Sequence, residues 1–201
     1  MIASGPSVTK QQIETAKEWR LSGKNRYVMV VNRSYLAAPW ADFLFSMDGK
    51  FLRLYGDEIL SMFSGRVFTH EIASYVPPWA EVVSATATGN SGSAAIEVLA
   101  RWGAKTIYLI GCDGKWSKEG KRHHHEDYEK GDAPGNTCSN CSNVHEFPRL
   151  FEKAVKMTDG TNIINCSPDS ALTFIPNMPL GEALNMDVGL RDETDLGDLN
   201  V

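Results

Sequence analysis

The sequence predicts a single α/β domain of the Rossmann-like, three-layer kind, built on a mainly parallel sheet. Two observations carry this expectation. Short β-rich apolar runs alternate with segments of helical period, the order expected of parallel strands joined by crossover helices. A chain of 201 residues with 42% hydrophobic content can bury one sizeable core but not two. The domain is placed at residues 1–186, with a polar lid insertion at 114–143 and an acidic tail at 187–201.

The elements follow in order. Met1 to Ala3 reads as a first strand that turns at Gly5-Pro6-Ser7. Thr9 and Gln12 have capping-box spacing and open a helix to about Arg20. Tyr27 to Val31 is the next strand, ending at Asn32, and Phe43 to Met47 is a third, ending at Asp48. The segment Phe51 to Phe63 is helical in period, and two weaker strands lie near Arg66 to Thr69 and Glu81 to Ser84. Val76-Pro77-Pro78 between them is loop, because proline lacks a donor and forces extended neighbours. Gly89-Asn90-Ser91-Gly92 leads into a helix through Trp102, and Gly103 then ends it ahead of the strand Thr106 to Gly111. A helix over His145 to Met157 and a strand over Asn162 to Cys166 complete the sheet, followed by the turn Ser167-Pro168-Asp169-Ser170 and a short closing segment. Asp48-Gly49-Lys50 and Asp113-Gly114-Lys115 echo one another, each just after a predicted strand.

Composition narrows the function classes. No apolar run reaches the length of a bilayer span, and the N-terminus lacks the order of a secretory signal, so a cytoplasmic protein without a membrane span is expected. The formal net charge is -5, but Asp187, Asp192, Glu193, Asp195 and Asp198 stand against Arg191 in the tail, which leaves the body close to neutral. Such a body has no basic surplus for duplex binding, so nucleic acid is unsupported as a partner. A homo-oligomer is compatible with the sequence. Four cysteines are too few for a disulfide scaffold at this length, and Cys112 and Cys166 read as buried small apolar residues.

Ligands of open parallel sheets bind beyond the carboxyl ends of the strands. Here those ends carry Gly5, Pro6, Ser7, Asn32, Asp48, Asn90, Ser91, Gly92 and Asp113. Glycine lets the backbone approach a phosphate, the free N–H groups of a helix start stabilise its charge, and serine or asparagine adds neutral hydrogen bonds. Each of these residue types is also an ordinary cap or turn former, so the expectation rests on their coincidence at several strand ends. Neither a Walker loop nor the dinucleotide glycine fingerprint is present, and no Asp-x-Asp pair occurs, although Asp48 and Asp113 can hold Mg²⁺ together across neighbouring strand ends. In the insertion, His123, His124 and His125 precede Cys138-x-x-Cys141 and His145. Two chemistries compete for them: a structural zinc site that pins the lid, or a general base, with His145 and His125 as candidates.

The run Gly89-Asn90-Ser91-Gly92, its helix, and Thr106 to Asp113 resemble the central motif of the bacterial lipooligosaccharide sialyltransferases. They equally resemble the related family of motility-associated glycosyltransferases and archaeal hydroxymethylpterin pyrophosphokinase, a pattern shared by many phage and prophage proteins. The resemblance extends to Gly5-Pro6-Ser7 and to Asn165 through Leu172, and so spans most of the chain. It implies that Gly5 to Ser7 and Asn90 to Gly92 approach a nucleotide phosphate, that Asn32 and Asp48 face ribose or base, and that Trp116 and Tyr128 are lid aromatics. It also implies a metal-independent transferase with a histidine base, His145 or one of His123 to His125. Asp48 stands where those enzymes have an asparagine, and Ser4 replaces another.

The expectation is a transferase that takes a sugar from a nucleotide-activated donor to an acceptor. The nucleotide or nucleotide sugar is its substrate and small-molecule partner. A Mg²⁺-dependent pyrophosphoryl or nucleotidyl transferase is the first alternative. A non-catalytic phage protein that sequesters a nucleotide is the second.

Overall fold

The computed structural model describes residues 1–70, 75–86, 89–125 and 141–188. Its fold is α/β with parallel pairing throughout the described strands. In chain order the elements are α1 (Lys10–Leu21), β1 (Met29–Val31), β2 (Phe43–Ser46), α2 (Gly49–Met62), β3 (Arg66–His70), β4 (Glu81–Val83), α3 (Ser91–Arg101), β5 (Thr106–Leu109), α4 (Phe147–Lys156), β6 (Asn162–Asn165) and α5 (Leu180–Val188). Strands β1 to β4 lie side by side in sequence order, and β5 pairs with β6.

The first residues join the two sets. Ile2 bridges Val30 on one side and Ile110 on the other, with its N–H donating to Met29 and its carbonyl accepting from Val31. The sheet therefore runs β6, β5, residues 1–3, β1, β2, β3, β4. From the first segment the chain winds outward to β4, then crosses back to β5 on the opposite flank. That reversal creates a switch point between residues 1–3 and β5, where loops leave the sheet in opposite directions and open a crevice.

Most strand residues are buried on both faces, as expected where helices cover a parallel sheet. Alternate side chains separate into two apolar clusters. Ile2, Val28, Val30, Leu44, Tyr108 and Ile110 pack with Ile13 of α1, Leu52 and Ile59 of α2 and Ala183 of α5. Met1, Ala3, Met29, Val31, Phe45 and Leu109 pack with Ala94, Ala95 and Ile96 of α3 and Phe151 of α4. Among the described residues, no helix is long and apolar enough to cross a membrane.

Local chemistry sets the element ends. Thr9 and Gln12 form the reciprocal capping box foreseen for α1. The expected helix at His145 begins instead at Phe147, after a 3-10 turn over Cys141–Glu146, because Pro148 is accommodated in the first turn of an α-helix. Two elements lie beyond the sequence reading. A 3-10 turn, Asn32–Leu36, follows β1, and α5 forms where the sequence predicts only a closing segment. Leu180, Ala183 and Leu184 of α5 sit three and four residues apart and bury one face in the first cluster, a pattern too short to stand out in sequence.

Candidate functional site

A crevice of about 530 Å³ opens at the carboxyl ends of the central strands. Its lining contains Gly5, Asn32, Asp48, Asn90, Ser91, Gly92 and Asp113 of the residues expected at the site, together with Trp116. Residues distant in sequence meet there because parallel strands deliver all their C-terminal loops to one edge of the sheet.

The wall at β2 is built from helix starts. Asp48 caps α2, its carboxylate accepting from the N–H groups of Lys50 and Phe51 at 2.9 and 3.2 Å. Asn90 caps α3 in the same manner, its Oδ1 accepting from Gly92 at 2.7 Å and Ser93 at 3.2 Å. The Ser91 hydroxyl accepts from Met47 N–H at 3.1 Å, tying the start of α3 to the end of β2. Gly92 leaves room for a neighbour, since a Cβ there would stand 3.0 Å from the Phe151 ring. Glu97, 1% exposed, holds the preceding loop by accepting from the N–H and hydroxyl of Thr86 and by pairing with Arg101 at 2.6 Å. Lys50 also lines this wall.

The wall at β5 differs. Gly5 N–H donates to Gly111 O at 3.0 Å, and the Asp113 carboxylate lies over Gly5 so closely that a Cβ would come within 1.9 Å of Oδ2. Ser7 N–H, expected as an open amide, donates to that same oxygen at 3.4 Å, and the Ser7 hydroxyl lies near without an aligned hydrogen bond. Pro6 and Ser7 are outside the crevice lining. Burial pushes the Asp113 carboxyl above its usual range, against weaker opposing pulls from Ser7 and Lys115. Behind this wall, Cys112 O accepts from Asn165 and Ser170, and Cys112 N–H donates to Ser167. The Ser167 to Ser170 turn thus supports the site rather than lining it. Cys112 and Cys166 are free and buried, and burial raises both thiols, Cys166 to about 11.

Residues 114–125 form a strap that brings Gly114, Lys115, Trp116, Arg122 and His123 to the crevice. Ser117, Gly120 and Lys121 close a tight turn, Arg122 stacks over Trp116 at 5.0 Å, and the His123 and His125 rings lie parallel at 5.0 Å. His124 anchors the strap: its N–H donates to Ser4 O at 3.1 Å, and its Nε2 lies 3.2 Å from the Ser34 hydroxyl, which in turn meets Ser4 Oγ. Burial holds its pKa down at about 4, helped by its two histidine neighbours.

No protein-family model, curated protein or solved structure matches this chain. The chemistry of the site therefore rests on its own residues.

Of the histidines, the structure brings His123 to the crevice, with Arg122 beside it. It does not bring His125 or His145 into the lining; the His145 side chain is 71% exposed, beside Glu146. Tyr128 and Cys138 lie outside the described residues, as does the side chain of Cys141, so the zinc expectation falls there. Among the described residues, no three His, Cys, Asp or Glu side chains are grouped to hold a metal. Sequence reasoning met Lys50 and Lys115 only in the Asp-Gly-Lys echo and gave them no role, and it did not single out Arg122; the echo after two strand ends was the signal that could have found the two lysines. Asn32 has a signal visible only in three dimensions: a left-handed φ of 50° and a buried Oδ1 without a hydrogen-bond partner.

Proposed function

We propose that this protein is a Rossmann-like, three-layer transferase that binds a nucleotide-activated sugar in the switch-point crevice and passes the sugar to an acceptor. The observation that carries the reading is the gathering of Gly5, Asn32, Asp48, Asn90, Ser91, Gly92 and Asp113 around one crevice. A diphosphate-sized anion meets Lys50 and the first turn of α3, whose N-terminus carries partial positive charge. Trp116 and Phe147 offer flat apolar faces for a sugar ring or a base. The resemblance to the sialyltransferase-like glycosyltransferases agrees with this chemistry, and a cytoplasmic setting is part of the proposal.

The reaction is a direct displacement. His123 takes the proton of the acceptor hydroxyl, ahead of His125 and His145 because it alone of the three lines the crevice. The acceptor oxygen forms its bond to the anomeric carbon as the bond from that carbon to the donor phosphate oxygen breaks. The electron pair leaves with the nucleotide, where Lys50 and the positive end of the α3 dipole stabilise it. Asp48 and Asp113 line the same crevice but are not on neighbouring strand ends, because residues 1–3 and β1 stand between β5 and β2, so the two do not share one Mg²⁺. A Mg²⁺-dependent pyrophosphoryl or nucleotidyl transfer, the second reading, has the ion held by one of them together with the phosphates of the nucleotide. That route stops on chelation, whereas the displacement continues.

A thermal-shift panel of nucleotides and nucleotide sugars, run with and without EDTA, tests the proposal. A ligand at a hundred times its dissociation constant stabilises the fold by about 2.7 kcal/mol, roughly 5–10 °C in melting temperature at this size. A panel in which no member raises the midpoint rejects the reading.

A further inference from the structure

The buried carboxylate of Asp113 has no role in the displacement described above. The residue is 5% exposed, yet it lines the crevice. An ionised carboxylate accepts about four hydrogen bonds. The bond it receives from Ser7 N–H is long at 3.4 Å, and the nearby Lys115 ammonium is held at 2.9 Å by Asp169. On the protein side its donors are Ser7 and its own backbone N–H, and the crevice side is where further donors can arrive. The same negative charge covers the Gly5 to Ser7 turn, so a phosphate approaching that turn meets a like charge in a desolvated place.

The other end of the crevice has the opposite character. Two amides of α2 donate to Asp48 Oδ1, and Lys50 and the α3 start line the same end of the crevice. Residues 1–3 and β1 separate β5 from β2, so these walls stand three strand spacings apart, roughly 14 Å. A phosphate bearing a sugar fits that span lengthwise.

We infer that Asp113 sets the direction in which the ligand lies: hydroxyl or ammonium groups donate to its carboxylate at the β5 wall, and the phosphates are turned to Lys50 and α3 at the β2 wall. The inference rests on reading the crevice as the ligand site and adds its polarity. Asp113 is thereby a specificity-determining residue that closes the Gly5 to Ser7 turn to anions.

Inorganic pyrophosphate, titrated into ¹⁵N-labelled full-length protein in EDTA, is the probe. In the wild type the amides of Lys50, Ser91 and Gly92 shift and that of Ser7 does not. Lys50→Gln weakens the response at least tenfold. Asp113→Asn keeps the shape and an acceptor for Ser7 N–H while removing the charge, and its Ser7 amide now responds to pyrophosphate. A wild-type Ser7 amide that responds as strongly as Ser91 overturns the inference, and so does a silent Ser7 in Asp113→Asn. A pyrophosphate response that appears only when magnesium replaces EDTA assigns the carboxylate to a metal and overturns it as well. Failure of the nucleotide panel alongside a Ser7 response confined to Asp113→Asn rejects the nucleotide reading while leaving the charge filter standing.

Discussion

Replacing Gly5 with alanine tests the close approach that forms the crevice. The new Cβ would lie 1.9 Å from Asp113 Oδ2 and 2.4 Å from the backbone carbonyl of Gly111. The carboxylate can swing away, but the carbonyl belongs to the backbone just beyond β5 and accepts from Gly5 N–H itself. Overpacking of this kind costs about 1–3 kcal/mol, and straining the hydrogen bond adds about 1 kcal/mol. The stiffer unfolded chain returns roughly 0.4–1 kcal/mol. The net loss is about 1–3.6 kcal/mol, which lowers the melting temperature by roughly 2–14 °C in a domain of this size. Circular dichroism melts of Gly5→Ala, Asp113→Gly and the double variant measure it. Removing the Asp113 side chain relieves one contact and leaves the other, so the double-mutant cycle should show partial rescue. A Gly5→Ala protein that melts within about 2 °C of the wild type would refute the reasoning, because the two strand ends then have room that the geometry denies them.

Other perturbations have distinct signatures. Gly181 lies in α5, and a methyl group added there would meet nothing within 4 Å, so Gly181→Ala should stabilise by about 0.5–1 kcal/mol, read as a rise in the urea midpoint. Glu97→Ala removes the acceptor of the Thr86 N–H and hydroxyl, and should cost about 1–3 kcal/mol with faster amide exchange at Thr86. His124 is held neutral in the fold at about 4 against an ordinary 6.5, so the unfolded chain binds the extra proton between those values. Its contribution is complete above pH 6.5 and fades as pH falls to 4; urea midpoints should decline across that window in the wild type and decline less in His124→Gln. Ser91→Ala removes the acceptor for Met47 N–H and should weaken nucleotide affinity about tenfold while the protein stays folded. Unchanged affinity by calorimetry removes Ser91 from the site.

Much of this architecture is written in local sequence. Strand β2 is apolar from Phe43 to Phe45 because both of its faces are covered, and Thr9 with Gln12 announces the start of α1 in two residues. The site is harder to read for a physical reason. Asp48 and Asn90 cap helices with the same side-chain oxygens that would suit a ligand, so residue type alone cannot separate a cap from a contact. The partnership of Gly5 with Asp113 spans more than a hundred residues and depends on residues 1–3 lying beside β5, which no periodicity reports. Three adjacent histidines carry no spacing signal either. The hydrogen bonds of His124 to Ser4 and Ser34, set by the strap's path, turn His123 toward the opening.

The central claim is that a nucleotide binds in the switch-point crevice. Amide chemical-shift mapping with the strongest ligand of the thermal panel measures this directly. The expected result is a continuous set of shifts at Asn32, Lys50, Ser91, Gly92 and His123. Shifts gathered instead around the surface hollow formed by Asp169 to Asn177, with those five amides unmoved, would contradict it.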